Sequence, residues 1–573
     1  MKTLAVVLAA AAALTAQDFR ARLNGTVLDS SGASIPKAKV ELTNVETGVA
    51  YKSETLESGD FTLPLLPPGT YTAAAEAAGF KRIVRENIVL RAGQAFAITL
   101  TLQPGQISEQ ITVTADSPLL ETEKSDRGTV IDSARITELP PVSRNPVMLS
   151  VLVAGVSFRG GSTRVFDQSS IDQWSVNGSP SLTSYFTLDG APNKSLQGQN
   201  YAGFIPQPEA LQEVRVQTNS YDAQYGNGAS FISMTMKSGA NDLHGSAYYY
   251  RKDGRWNANT FQNNRVGARK GPSVVEQPGF QIGGPVFLPK LYNGKNRTFF
   301  MVTYENYNDR VANPRRDSVP QPEFLQGDFS KLADAQGRRI TIYDPASGRL
   351  VGSTWTRDPF AGNLVPVNRI DPVAQKMLSY FPKPNEPSGH GPNQGYSAGN
   401  WNQPAGINDP TNDFWNFATK IDQNFGSRDR IFGRFGASKR LEHKNTTGLN
   451  DAPGEGESYT SRVNRAVVLD WVRTLSPTLV FNTNFSYNRF RQTSDAFDNY
   501  NFDVTKLGFS RALAGQIFNP FDFGIYQFSG YSQLGWDPRL SISNEWSMGP
   551  NVNWIRGAHK LHFGAELRLT YLA

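Results

Sequence analysis

The chain has 573 residues, 39% of them hydrophobic and 19% charged, with a net charge of only +6 and no cysteine. That length leaves room for several domains, and the missing cysteine excludes thiol catalysis, disulfides, Cys-ligated zinc and a lipid-anchored cysteine. Interspersed charges without a basic run or recognition motif argue against nucleic acid as a partner, while abundant Gly, Phe and Tyr favour β structure over a helical core.

The chain opens with "MKTLAVVLAAAAALTAQ": Lys2, an apolar run over residues 4–14, then small residues. This predicts a secretory signal peptide over 1–16, cleaved after Ala16, because the run is too short to span a bilayer. No later run approaches the roughly 18 apolar residues a transmembrane helix needs. Two destinations remain: soluble outside the cell, or a β-barrel in an outer membrane.

Residues 20–104 read as a small β-sandwich. "NGTVLDSSG", "AKVELTNVETG", "GDFTLPLLPPGTYTAAAEAAGF" and "QAFAITLTLQPG" are short β-prone runs punctuated by turn signals, with Tyr71 in a strand closed by a Gly turn. The unit resembles the carboxypeptidase regulatory-like domain, a transthyretin-like sandwich. The resemblance implies no catalysis, and the sandwich is read as a rigid spacer. Residues 105–115 follow as a linker containing a β-prone run, 111–114. That run is either the last strand of the sandwich or a free strand able to add to another protein's sheet edge.

Residues 116–239 show little helical periodicity; Val214, Val216 and residues 231–236 read as buried strands. The ordered series "EQITVTA", "ELPPVSRNP", "VNG…FTLDG", "EALQEVRVQTNSYDAQYG" and "MKSGANDLHGSAYYYR" resembles the plug of TonB-dependent outer-membrane receptors, of the Oar-like subclass that carries the sandwich in front. The resemblance implies a candidate TonB box at Glu109, Gln110, Ile111, Thr112, Val113, Thr114 and Ala115. It also implies a plug motif at Asn177, Gly178, Leu188, Asp189 and Gly190. Asp189–Gly190 is compatible with a plain turn as well.

From residue 240 to 573 the pattern speaks by itself. Candidate strands lie near 243–251, 278–287, 297–307, 414–423, 429–438, 461–473, 478–491, 541–554 and 559–571. Most alternate in parity. Trp415, Phe417 and Ile421 oppose Asn416, Lys420 and Asp422; Leu479, Phe481, Phe485 and Tyr487 oppose Asn482, Asn484, Ser486 and Asn488. Short connections such as "GSRD", "LSP" and "RGAH" alternate with long polar ones, notably 308–413 and 492–540. Turns on one rim and long loops on the other are the pattern of an outer-membrane barrel, with the apolar parity facing lipid. Lys560, Glu566 and Arg568 are therefore expected to point inward, and Tyr487, Tyr571 and Trp554 to belong to interfacial girdles. Nine strands leave two open edges, which lipid cannot hydrogen-bond, so the chain is expected to be a fragment of a larger barrel.

Little suggests chemistry. The histidines are His244, His390, His443, His559 and His562; the last two fall on opposite faces of one strand and cannot share a metal there. Gly283–Pro285 reads as a turn or bulge, and Glu455 with Glu457 as a solvated loop pair. No H-E-x-x-H, G-x-S-x-G or P-loop occurs. The expectation is a mainly β protein that is not an enzyme, has no cofactor or metal, and sits in the bacterial outer membrane with its sandwich in the periplasm. Its partners by resemblance are TonB, outer-membrane lipid and an extracellular ligand: a peptide, an oligosaccharide or a metal chelate. The function implied is TonB-coupled import of a ligand captured by the outer loops. The alternatives are a surface adhesion protein of the same architecture and a soluble secreted carbohydrate-binding protein.

Overall fold

The computed structural model describes residues 19–573 except 107–108, 115–126, 140–143, 159–173, 181–182, 195–201, 220–229, 260, 268, 312–314, 335, 387–398, 404–410, 445–457, 497–502, 517–530, 532–533, 535–538 and 558. The signal peptide, Ala115, His390 and the Glu455/Glu457 pair lie outside the described residues.

The first unit is a sandwich of two sheets. Asp60–Leu66, Ala21–Asp29 and Ala95–Leu102 form one, the last two strands running parallel. Ala50–Glu54, Lys39–Asn44, Gly69–Glu76, Arg82–Leu90 and Gln110–Thr114 form the other. Alternating apolar residues from both inner faces, among them Leu23, Val40, Leu42, Phe61, Ile88 and Leu100, close over a common core. Tyr71 is fully buried, and its hydroxyl donates to the Pro67 carbonyl (2.7 Å), fixing the turn that precedes its strand. Buried polar tips require such a partner. The run 111–114 is therefore the edge strand of this sandwich, paired in parallel with Arg82–Leu90.

The second unit is a five-stranded sheet in the order Ala191–Pro192, Ser184–Leu188, Ser230–Met236, Leu211–Asn219, Arg127–Asp132. Every residue of Ser230–Met236 is buried. A strand covered on both faces needs a continuous apolar or paired run rather than alternation.

The third unit is one antiparallel sheet whose strands pair in chain order: His244–Asp253, Ser273–Pro285, Thr298–Val311, Thr411–Phe425, Asp429–Lys444, Ser458–Ser476, Leu479–Ala496, Arg539–Arg556 and a last strand made of His559–Gly564 and Leu567–Leu572. The last two pieces keep a single register on Arg539–Arg556 and are interrupted opposite Gly549 and Pro550, where proline has no N–H to give to the ladder. All nine expected strands are present, and most run several residues beyond their expected ends on the long-loop side. The connection 286–297 is longer than a tight turn and contains a minor hairpin, Phe287–Leu288 with Tyr292–Asn293. Gly283–Pro285 is neither turn nor bulge but the end of a regular strand. Gly239 crosses it so closely that a Cβ would lie 2.4 Å from the Phe300 carbonyl oxygen, so the link between the inner sheet and the barrel needs glycine there.

Parity sorts as the alternation requires. Asn412, Asn416, Ala418 and Lys420 are buried inward, while Trp415 and Ile421 are exposed outward. Arg568 points inward, 2.6 Å from Glu566, 3.9 Å from Glu545 and 5.1 Å over the Tyr185 ring of the inner sheet. Lys560 shares that parity but sits exposed at the turn-side rim. Tyr487 is not at a strand end: it lies midway along Leu479–Ala496, its ring centroid 4.2 Å from that of Trp546 across the strands and tilted by 37°.

The long loops are not structureless. Val319, Met377, Phe381 and Trp401 from one pack with Val504, Leu507, Ala514 and Leu534 from another to form a single outer core.

Leu469 is lipid-facing and mid-strand. Leu469→Arg is expected to cost about 2–4 kcal/mol of membrane-folding stability, read as a lowered midpoint in urea titration of the folded barrel in bilayers. Val468→Ala, on the inward parity, is expected to leave the lipid-facing surface intact and shift the midpoint less.

Candidate functional site

The inner sheet sits against the inward face of the barrel strands, and the contact between them is built from turn geometry and charge. Asp189 and Gly190 have φ of 50° and 76°, and Asn177 and Gly178 have 50° and 77°. Positive φ at both central positions makes each pair a type I′ turn, the reason Asn-Gly and Asp-Gly stand there. Both halves of the expected plug motif are thus tight turns of this unit. Asn177 donates through Nδ2 to the Thr218 carbonyl and stays exposed, whereas Asp189 is completely buried.

The I′ turn drives the Asp189 carboxylate into the barrel wall. It accepts from the Met236 N–H (3.0 Å), lies 3.4 Å from Lys420 Nζ, and lies 3.2 Å from Arg434 Nε. Lys420 and Arg434 face each other across adjacent strands. Like charges directly opposite in a ladder repel, so the wall carries a cationic socket that the inner sheet's carboxylate neutralises. Arg434 also donates to the Leu188 carbonyl (3.2 Å).

A second node has the opposite polarity. Arg144, in the "SRNP" stretch, is 8% exposed and gripped by both Glu209 oxygens (2.8 and 2.7 Å). Glu305, on the barrel, lies 3.6 Å from the same guanidinium and accepts from the Tyr248 hydroxyl (2.9 Å). The guanidinium also stacks 3.7 Å from the Tyr250 ring. Beside the nodes, lumen asparagines hold inner-unit backbone: Asn416 donates to the Ile205 carbonyl (2.9 Å) and Asn484 to that of Gly190 (3.2 Å). Lumen-facing Met301 and Ala418 join the inner unit's apolar core.

Of the residues at these nodes, the sequence resemblance singled out Asp189, and Arg144, Glu209, Glu305, Tyr248 and Tyr250 were missed. The available signal was parity: Glu305 falls on the inward side of its strand, where an unpaired carboxylate would demand a cation. The candidate TonB box is placed outside this interface. Gln110–Thr114 lies on the sandwich edge, and Glu109 pairs with Lys81 (2.6 Å).

The sandwich meets the inner sheet through Glu213, which accepts from the Ala92 N–H (2.6 Å), while Arg215 donates to the Ala92 carbonyl (2.6 Å). Burial pushes the Glu213 carboxyl up to about 7, against the pull of the Ala92 N–H and of Arg91 and Arg215. Among the described residues no group of three or more His, Asp or Glu is disposed to hold a metal.

Asp189→Asn leaves two buried cations facing each other, and the expected destabilisation is about 3–5 kcal/mol, read as earlier release of the inner unit in limited proteolysis. Asp189→Asn combined with Lys420→Met is expected to recover some of it. The Glu213 joint follows pH. A carboxyl raised from 4.5 to about 7 contributes fully below 4.5, and its contribution is lost as pH rises through about 7. Hydrogen-exchange protection of the Ala92 amide, corrected for intrinsic rate, is therefore expected to fall between pH 5 and 8 in the native chain and to stay level in Glu213→Gln.

Comparison with known proteins gives the same two regions. Residues 235–572 match the outer membrane beta barrel domain, and residues 22–103 match the carboxypeptidase regulatory-like domain. The chain is 25% identical over 290 residues to the TonB-dependent transporter Oar of Myxococcus xanthus, which covers 47% of this chain. It spans about a quarter of the length of that relative. Among solved structures it is similar to the outer membrane transporter YddB from Escherichia coli, at 11% identity and a TM-score of 0.44 over 77% of this chain and 47% of that one. It is also similar to the siderophore receptor PirA from Acinetobacter baumannii, at 11% identity and a TM-score of 0.43 over 79% and 49%. The chain is an outer-membrane protein and belongs to the outer membrane beta barrel domain family.

Proposed function

We propose that this chain is the receptor portion of a TonB-coupled outer-membrane transporter. The observation that carries the reading is a β-edge segment, Gln110–Thr114, immediately preceding a unit that lines the inward face of the barrel and is fastened there by ion pairs. A unit held by charge in a hydrated lumen can be released by force and re-seated, because like-charged wall residues attract the same carboxylate back. Residues 116–239 act as the plug. The outer loops, 308–413 and 492–540, capture the ligand, and their shared apolar core lets both respond to one bound molecule. TonB adds a strand at residues 109–115 and draws on the inner-membrane proton gradient. Similarity to the TonB-dependent transporter Oar supports the coupling. No catalytic step belongs to this reading, and a peptide, an oligosaccharide or a metal chelate would each suit the polar lumen.

The adhesion reading has one observation of its own. The hairpin Arg349–Val351 with Thr354–Thr356 exposes Leu350, Val351 and Trp355, the last at 72%, as a contact surface on the outer subdomain would.

The deciding experiment replaces Gln110 by Cys in the full gene product and tests disulfide capture by a TonB periplasmic domain bearing one cysteine. Capture that depends on position 110 is expected. Absence of any capture, with cell-to-cell adherence reduced by Trp355→Ala, would replace import by adhesion.

A further inference from the structure

We propose that the sandwich is a second gate, seated over the turn-side mouth of the barrel, and that traction on Gln110–Thr114 lifts it off. The inference rests on the TonB reading above and replaces the spacer role expected from the sequence. Contacts to the sandwich and the residues leading into it come from four barrel strands, all near the short-turn rim. Arg20 pairs with Asp470 (2.9 Å), both side chains more than nine-tenths buried, and Arg22 donates to Asn553 (3.1 Å). Phe19 meets Phe432 edge to face, Arg430 stacks 4.5 Å from the Tyr51 ring, and Leu65 packs on Val472 and Val480. A spacer would not need a mixed apolar and ionic seat of this kind. It has the composition of an interface that is specific and separable.

The seat borders a chamber. A cavity of about 640 Å³ lies between the three units, with Tyr51 and Pro67 of the sandwich on one side, Lys237 and Ser238 of the link on another, and Asp422 and Arg430 of the wall on a third. A polar solute passing the inner unit enters this chamber and meets the sandwich before it meets the periplasm.

The pulling geometry selects which element moves first. Gln110–Thr114 is hydrogen-bonded along its length to Arg82–Leu90, and at its start the Glu109 carbonyl accepts from the Arg82 N–H (2.9 Å) while its carboxylate pairs with Lys81. A force along this strand loads the whole ladder in shear, so the sandwich moves with the strand. The rim contacts are side-chain contacts and break singly, in succession. The inner unit receives the same pull through the chain that follows residue 114.

These 573 residues contain no cysteine, and the test uses the full gene product with any cysteine outside them replaced by serine. Ser238→Cys places a single thiol in the chamber, and labelling by a small sulphonated maleimide reports access from the periplasm. Labelling is expected to be several-fold faster in energised cells with TonB than in cells without it. Adding Leu65→Cys and Val480→Cys and oxidising that pair is expected to hold labelling of position 238, read by peptide mapping, at the slow rate, with recovery at that position on reduction. Leu65→Asp, tolerable at a position whose φ is 59°, is expected to label fast even without TonB. Equal labelling with and without TonB, or no effect of the oxidised pair, overturns the gate while capture at position 110 still stands. No capture at position 110 overturns the coupling and the gate together.

Discussion

Hydrocarbon offers no hydrogen bond. Every backbone group of a spanning strand must find its partner in the neighbouring strand, and every polar side chain must take the parity that faces away from lipid. The rest of this structure depends on that constraint. It sends asparagines, lysines, arginines and carboxylates to one side of the sheet, where they cannot be left empty-handed. Asn416, Asn484, Lys420, Arg434 and Glu305 are answered by a folded unit that brings backbone carbonyls, Asp189 and Arg144 to them. Lipid on one face thus dictates a densely polar fit on the other.

Ion pairs of this burial do not by themselves make a protein more stable, because desolvation offsets much of the attraction. Their value here is positional. A carboxylate on a rigid I′ turn fits one cationic pair, and a guanidinium between two carboxylates and two tyrosine rings fits one corner. The two nodes have opposite polarity, so the inner unit cannot seat in reverse without opposing like charges.

Much of this was legible in the sequence, and the reason is periodicity. Side-chain alternation and the rhythm of short and long connections are local signals, and they located all nine strands. The strands were expected too short because polar residues such as Glu442 and Gln492 look like loop while they extend the inward face, where both bond Arg462. Asp189 was singled out by resemblance to a plug motif, and the Asp-Gly pair also carries the local signature of the turn it forms. Arg144 and Glu305 were not, since they are 161 residues apart and only the closed tertiary arrangement brings them together. The docking of the sandwich was invisible for the same reason: Leu65 and Val480 are ordinary apolar residues until the rim places them side by side. Residues 111–114 were ambiguous because an edge strand and a detachable strand have the same composition, and the structure assigns the first state without removing the second.

The outer core has an evolutionary corollary. Val319, Met377, Phe381 and Trp401 are covered by Val504, Leu507, Ala514 and Leu534, so neither long connecting segment owns a complete hydrophobic interior. Swapping one such segment for that of a homologue would strand its counterpart in water. Diversification of this surface should therefore proceed by paired replacement, with the two segments inherited as a single recombining block.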